Sequence, residues 1–177
     1  MAGKDESLRI VRSELDALKF RIIERHINAG QKASGRTIAS LHVEMLQSGG
    51  ILWGRQAFEV LETGRGSGNV PKNFTKIIQQ WIIDKGIAVE SIPYKRQASS
   101  RWQPKYTPEE RGIMRLSGAI AHKIASEGTA LHRRGASEDI YSSEVEKTID
   151  NIMNKVFGIF ERDVEHINLN SNENRSI

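Results

Sequence analysis

Apolar side chains recur every three or four residues at Leu8, Val11, Leu15, Leu18, Ile22 and Ile27, which predicts a long amphipathic helix from about Ser7 to Asn28, stopped by Gly30. His26, near the end of that helix, is expected to meet the carbonyl dipole or water. The period changes at Thr37: Leu41, Val43 and Met45 alternate with Ser40, His42 and Glu44, the pattern of a strand with one covered face. Ser48-Gly49-Gly50 is a turn signal, and Ile51-Leu52-Trp53 after it predicts a second strand pairing back as a hairpin. Arg55 to Leu61, with Phe58, Val60 and Leu61 apolar, fits either a short helix or a strand, and the helix is preferred. A further helix is expected from an Asn73 cap to Lys85, stopped by Gly86, with Phe74, Ile77, Ile78, Trp81 and Ile82 on its apolar face and Trp81 as the large buried anchor. Ile87 to Ile92, closed by Pro93, reads as a short edge strand.

Tyr94 to Tyr106 has no period and is expected to be an extended arm. Thr107-Pro108-Glu109-Glu110 is the strongest local signal in the chain: a threonine cap, proline at the first helical position and glutamate three residues after the cap. The helix it starts runs through Ile113, Leu116, Ile120 and Ile124 to Gly128, and a basic connector from Thr129 to Ser137 follows. A last helix from about Ser142 to Ile167 carries Val145, Ile149, Ile152, Val156, Phe160 and Val164 on one face. The predicted fold class is α/β in the α+β sense: a small antiparallel sheet packed by helices, with long N- and C-terminal helices. It is expected as a single domain over 1–167, with its core at about 8–164 and a flexible polar tail over 168–177.

The length of 177 residues fits one ordinary domain with a real core. No apolar run approaches the roughly 18 residues of a membrane span, and the first seven residues lack the apolar core of a signal peptide, so action without secretion by that route and without a membrane is expected. With no cysteine, disulfides, thiol nucleophiles and cysteine metal sites are excluded. The net charge of +4 is unevenly spread: residues 95–134 carry +6 and 135–177 carry −5. Such a pair of patches is complementary, and in a self-associating protein the two could meet across a subunit boundary.

The least generic stretch is Leu61 to Pro71, with Gly64, Gly66 and Gly68 at every second position and a helix start soon after. Glycine lets backbone amides approach an anion, but the lysine and hydroxyl residue of a phosphate loop are missing after the last glycine, where Asn69-Val70-Pro71 stands instead. The five histidines are scattered without metal-ligand spacing, and neither a nucleophile elbow nor a pair of carboxylates for acid–base work stands out. No catalytic, cofactor or metal residue is therefore assigned. Residues 95–134 combine nine lysines and arginines, with Trp102 and Tyr106 among them, which allows non-specific contact with DNA but shows no recognition signature.

The order of signals is more telling than any one motif. Phe58-Glu59-Val60-Leu61-Glu62-Thr63-Gly64-Arg65, the helix with Ile77-Ile78 and Trp81-Ile82 that ends in Lys85-Gly86-Ile87, and Ile120 to Thr129 resemble the head-tail connector and tail-completion proteins of tailed bacteriophages over about Gly35 to Arg134. Ser67 and Asn69 depart from the commoner proline and lysine of that pattern, and the basic segment 94–106 looks like an insertion. The resemblance implies a non-enzymatic virion protein of the neck, assembled in the host cytoplasm as a twelvefold or sixfold homo-oligomeric ring that meets the portal and other neck or tail proteins. A closed ring needs two different complementary patches on each subunit. The residues expected to serve them are Glu62, Gly64, Arg65, Gly66, Gly68, Arg96, Arg101, Trp102, Lys105, Arg133 and Arg134, with the loop held between Trp53 and Phe58 on one side and Trp81 on the other. The second reading is an accessory DNA-binding protein that holds phosphates with residues 95–134.

Overall fold

The computed structural model describes residues 2–95 and 103–173. It is mostly helical, with a two-stranded antiparallel sheet and long terminal helices packed together. In chain order the elements are α1 (Ala2–Asn28), α2 (Arg36–Ala39), β1 (His42–Leu46), β2 (Gly49–Trp53), α3 (Ala57–Thr63), α4 (Phe74–Lys85), α5 (Pro108–Glu127), α6 (Ala130–Arg133) and α7 (Ser142–Glu173). Among the described residues no helix is long and apolar enough to cross a membrane. The chain divides into two compact units: one gathers α1, α2, the hairpin and α7, the other Glu59–Glu138 with Lys32–Gly35.

In the first unit α1 and α7 lie against one another. Leu18 and Ile22 of α1 are buried, as are Ile159 of α7 and Ile140 just before it. Burial of each such side chain stabilises by about 1.5–3 kcal/mol. The hairpin pairs Val43 with Leu52 and Met45 with Gly50, and Val43 and Met45 fall on its more covered face as the alternation predicts. It sits on α1 so closely that a Cβ on Gly50 would lie 2.6 Å from a Leu15 methyl. Trp53 Nε1 donates across the strands to Glu44 at 2.6 Å. His26 is buried with its ring edge-on to Phe58, centroids 5.8 Å apart, rather than facing water at the helix end.

Polar contacts fix the register of α1 on α7. The Glu144 carboxylate, almost wholly buried, receives Arg21 Nε at 2.7 Å, Arg25 Nη2 at 2.6 Å and Lys147 Nζ at 3.1 Å. Further along, Lys155 meets Glu14 at 2.5 Å and Arg162 meets Glu6 at 3.1 Å. Asp139 adopts a left-handed φ of 46° ahead of α7. Its carboxylate accepts from the Ser143 amide at 3.2 Å, satisfying a helix-start donor, and from Arg25 at 2.9 Å.

In the second unit α4 and α5 pack around Ile78, Ile82 and Ala121, with Ile113, Leu116, Ile120 and Ile124 against them. The capping box forms as expected: Thr107 Oγ1 accepts from the Glu110 amide at 3.1 Å, and the Thr107 amide donates to Glu110 at 2.8 Å. Gly86 closes α4 with φ of 64°. Two expectations are corrected here. Trp81 is not the buried anchor, since α5 covers the Ile78 and Ile82 side and leaves Trp81 38% and Ile77 46% exposed. Residues 87–92 do not form a strand, because their backbone is spent on the start of α5: Ile92 N donates to Pro108 O, and Arg111 Nη1 donates to the Ile92 and Pro93 carbonyls, all at 2.9 Å. Gly112 makes this crossing feasible, as a Cβ there would strike the Glu90 carbonyl. The basic connector contains the single turn α6, and α7 stays helical to Glu173, past the expected Ile167. Residues 174–177 of the expected tail lie outside the described residues.

The acid response of the α1–α7 pair follows from its carboxylates. Glu144 is held below its ordinary value of 4.5, first by the hydrogen bond from Lys147 and then by the charges of Arg25 and Arg21, which together outweigh the burial that would raise it. Asp139 is lowered from 3.8, first by its hydrogen bonds with Ser143. A carboxyl lowered in the folded state contributes stability that is complete above its unfolded pKa and lost as pH falls through the folded one. The melting temperature should therefore hold from neutrality down to about pH 5 and fall below about pH 4.5. Glu144→Gln should cost about 2 kcal/mol at pH 7 and flatten that acid slope in thermal melts followed by circular dichroism. An unchanged slope would remove Glu144 from this role.

Candidate functional site

The loop after α3 is a fixed structure within the second unit. Gly64 takes φ of 78° and ends α3, its amide donating to Val60 O at 2.9 Å. The next residue forms a two-way tie with the start of α6: Arg65 N donates to Thr129 Oγ1 at 2.9 Å, and Thr129 N donates to Arg65 O at 2.8 Å. Thr129 Oγ1 also accepts from the His132 amide, so a single hydroxyl caps α6 and anchors the loop. Beyond it, Gly68 N donates to Ala125 O at 2.9 Å.

Glycine is required for this approach on both sides. A Cβ at Gly64 would lie 2.5 Å from Thr129 Oγ1 and 2.7 Å from the His132 amide, and one at Gly128 would lie 2.6 Å from Arg65 O. Gly128, with φ of 78° and ψ of −179°, holds a conformation open essentially to glycine alone. Gly66 lies beside the His132 ring. The amides of Arg65 and Gly68 are thus committed to the chain itself, and the loop packs against the start of α6.

The other expected interface residues differ in placement. Glu62 is buried, with its carbonyl accepting from the Glu138 amide at 2.9 Å, and offers no exposed carboxylate to a partner. Arg65 is half-buried: its guanidinium lies 5.8 Å over the Phe74 ring and donates to the Asn69 carbonyl, fastening the loop to itself. Arg133 donates to Gly128 O at 2.9 Å and pairs with Glu127 at 3.2 Å, whereas the neighbouring Arg134 is exposed and its Nε donates to Ala130 O at 3.3 Å. Lys105 lies 5.3 Å over the Tyr106 ring. Arg96, Arg101 and Trp102 lie outside the described residues. Arg111, part of the basic segment, is occupied by the Tyr94 ring at 4.0 Å and by two carbonyls.

A further bare feature was not among those candidates. Along α7, Ile149, Met153, Phe157, Phe160, Val164 and Ile167 are each more than half exposed. At about 100° per residue they fall within one outward stripe, while Glu144, Thr148 and Ile159 form the buried side. Met153, Phe157 and Phe160 also line an open apolar groove of about 810 Å3 with Leu8 and Val11 of α1. The sequence did carry the signal: Met153 and Phe157 stand next to Ile152 and Val156, which makes the apolar face too broad for one neighbouring helix. Contiguous apolar stripes of this kind are rarely left bare on monomeric proteins.

Among the described residues no group of three or more His, Asp or Glu stands close enough together to hold a metal ion. Gly128→Ala should cost on the order of 1–3 kcal/mol through its disallowed backbone and speed amide exchange at Arg65, Gly68 and Thr129 with little change in α1. Unaltered exchange at these three amides would show that the loop is held by other contacts. Comparison with protein families, with curated proteins and with solved structures found no match for the chain.

Proposed function

We propose that the chain is a non-enzymatic structural protein of the neck of a tailed bacteriophage, a subunit of a homo-oligomeric ring that joins the portal side to the tail. The phage assignment rests on the order of sequence signals from Gly35 to Arg134, and the observation that carries the assembly reading is the bare apolar stripe of α7. A chain that leaves six large apolar side chains exposed along one helix gains by burying them against a partner. In this reading the copies number twelve on the portal side or six on the tail side, the neighbours are portal, neck or tail proteins, and the place of action is the virion after assembly in the host cytoplasm.

DNA binding by the basic segment gains less support, because Arg111 and Arg133 are engaged by rings, carbonyls or carboxylates of their own unit. Native mass spectrometry and negative-stain microscopy of the purified chain should show a closed ring. A monomer at tens of micromolar that binds duplex DNA with a steep loss on added salt would replace this reading by the second. Arg134→Glu is the cleaner charge reversal, since Arg133 also supports Gly128. It should weaken assembly about tenfold, or 1.4 kcal/mol, with the melting temperature of the isolated subunit unchanged.

A further inference from the structure

We infer that the apolar stripe of α7 is covered by the α7 of a second copy of this chain, the two helices lying antiparallel about a two-fold axis. The pairing goes beyond the ring reading, since a two-fold contact closes at two copies and any ring of such pairs is completed by other surfaces. The spacing of the stripe calls for a helix. Met153, Phe157, Phe160, Val164 and Ile167 stand four, three, four and three residues apart, the repeat that keeps one seam facing one partner helix. At about 100° per residue this seam is turned roughly 120° from Ile159, which is buried beside Gly3 of α1, so α7 can hold α1 and a further helix at once.

Area and chemistry make that further helix a second α7. The six side chains of the stripe, Ile149 included, are 51–67% exposed. With roughly 200 Å2 for a whole aromatic side chain and less for the others, they leave on the order of 600 Å2 bare. Two copies face to face hide about 1,200 Å2, which is where stable protein pairs begin. One stripe therefore suffices when it meets an equal one, and a second α7 supplies it. The adjoining groove asks for nothing else: beside its apolar residues it offers Ser7, Gln47, Ser48 and Asn154, with Lys4 as its one charge, so it selects no strongly charged partner.

One acid fixes the direction. Asp150 is exposed and stands seven residues before Phe157, on the same seam. In a parallel pair the two Asp150 carboxylates would meet across it, and like charges there oppose association. In the antiparallel pair that sets Phe157 of one copy against Phe160 of the other, Met153 meets Val164 and Asp150 meets Ile167. The two Asp150 residues then lie about 25 Å apart along the axis, and Glu161 falls beside Val156.

A chain without cysteine makes the test direct. Met153→Cys and Val164→Cys, both at positions more than half exposed, are purified separately, mixed and treated with a short bis-maleimide. The expected result is a covalent heterodimer in about tenfold excess over either homodimer, because identical sites on the two copies lie roughly 16 Å apart along the helices. Asp150→Cys with Ile167→Cys is the second pair should one variant fold poorly. Phe160→Glu should raise the dissociation constant of the pair roughly thirtyfold in sedimentation, with helical circular dichroism unchanged. Met153→Cys joined mainly to itself would overturn the antiparallel pairing in favour of a parallel one. Closed rings by native mass spectrometry with neither pair joined would overturn it too and leave the neck reading standing, the stripe then belonging to a different partner. Cross-linked dimers that never form rings would uphold the pairing and remove the ring. A chain that remains monomeric at tens of micromolar would overturn both.

Discussion

The side of α7 on which its cations lie decides the rest of its unit. Lys147, Lys155 and Arg162 pair with Glu144, Glu14 and Glu6, and Arg21 and Arg25 of α1 close on Glu144 from the other helix. Ion pairs of this kind return little net stability, because solvent screening at the exposed partners and desolvation of the buried carboxylates offset much of the attraction. Their effect is geometric. With Glu144 held by two arginines, α7 can be neither rotated nor slid along α1 without stranding a buried carboxylate. The rotation so fixed buries Ile159 and turns Phe157 and Phe160 outward. Packing of α1 on α7 and exposure of the stripe are thus two results of one constraint.

In the second unit the corresponding constraint is backbone on backbone. The Gly64–Arg65 corner and the Gly128–Thr129 corner approach within ordinary hydrogen-bond distance, and Thr129 Oγ1 serves both the loop and α6. Glycine is used here for clearance between chain segments, as it is again at Gly112 beneath the Glu90 carbonyl. Of the alternate glycines, Gly64 and Gly68 give their amides to Val60 and Ala125 of the chain itself.

What was legible in the sequence was local. The capping box at Thr107, the stop at Gly86, the hairpin around Ser48-Gly49-Gly50 and the long terminal helices rest on interactions spanning a few residues, and those leave their mark in spacing. The misjudged places are those where a distant segment decides. Trp81 has the size of a core residue, but which side of α4 is covered depends on α5. Residues 87–92 have strand-like composition, but Arg111 and Pro108 take the hydrogen bonds a strand partner would need. The glycines draw attention to the loop, while its supports at Ala125 and Thr129 lie some sixty residues further on, with nothing in the local pattern to name them. The outward stripe was hidden by the assumption that an apolar helix face is a covered one.

The unit that presents the stripe is made from the two ends of the chain, α1 and α7, whereas the other unit is nearly continuous from Glu59 to Glu138. During synthesis α1 emerges well before α7, and its Leu18 and Ile22 face stays open until α7 arrives. The continuous unit can close on itself well before that. The exposed stripe is consequently made only after the continuous unit, and a chain that has not yet reached α7 does not present it.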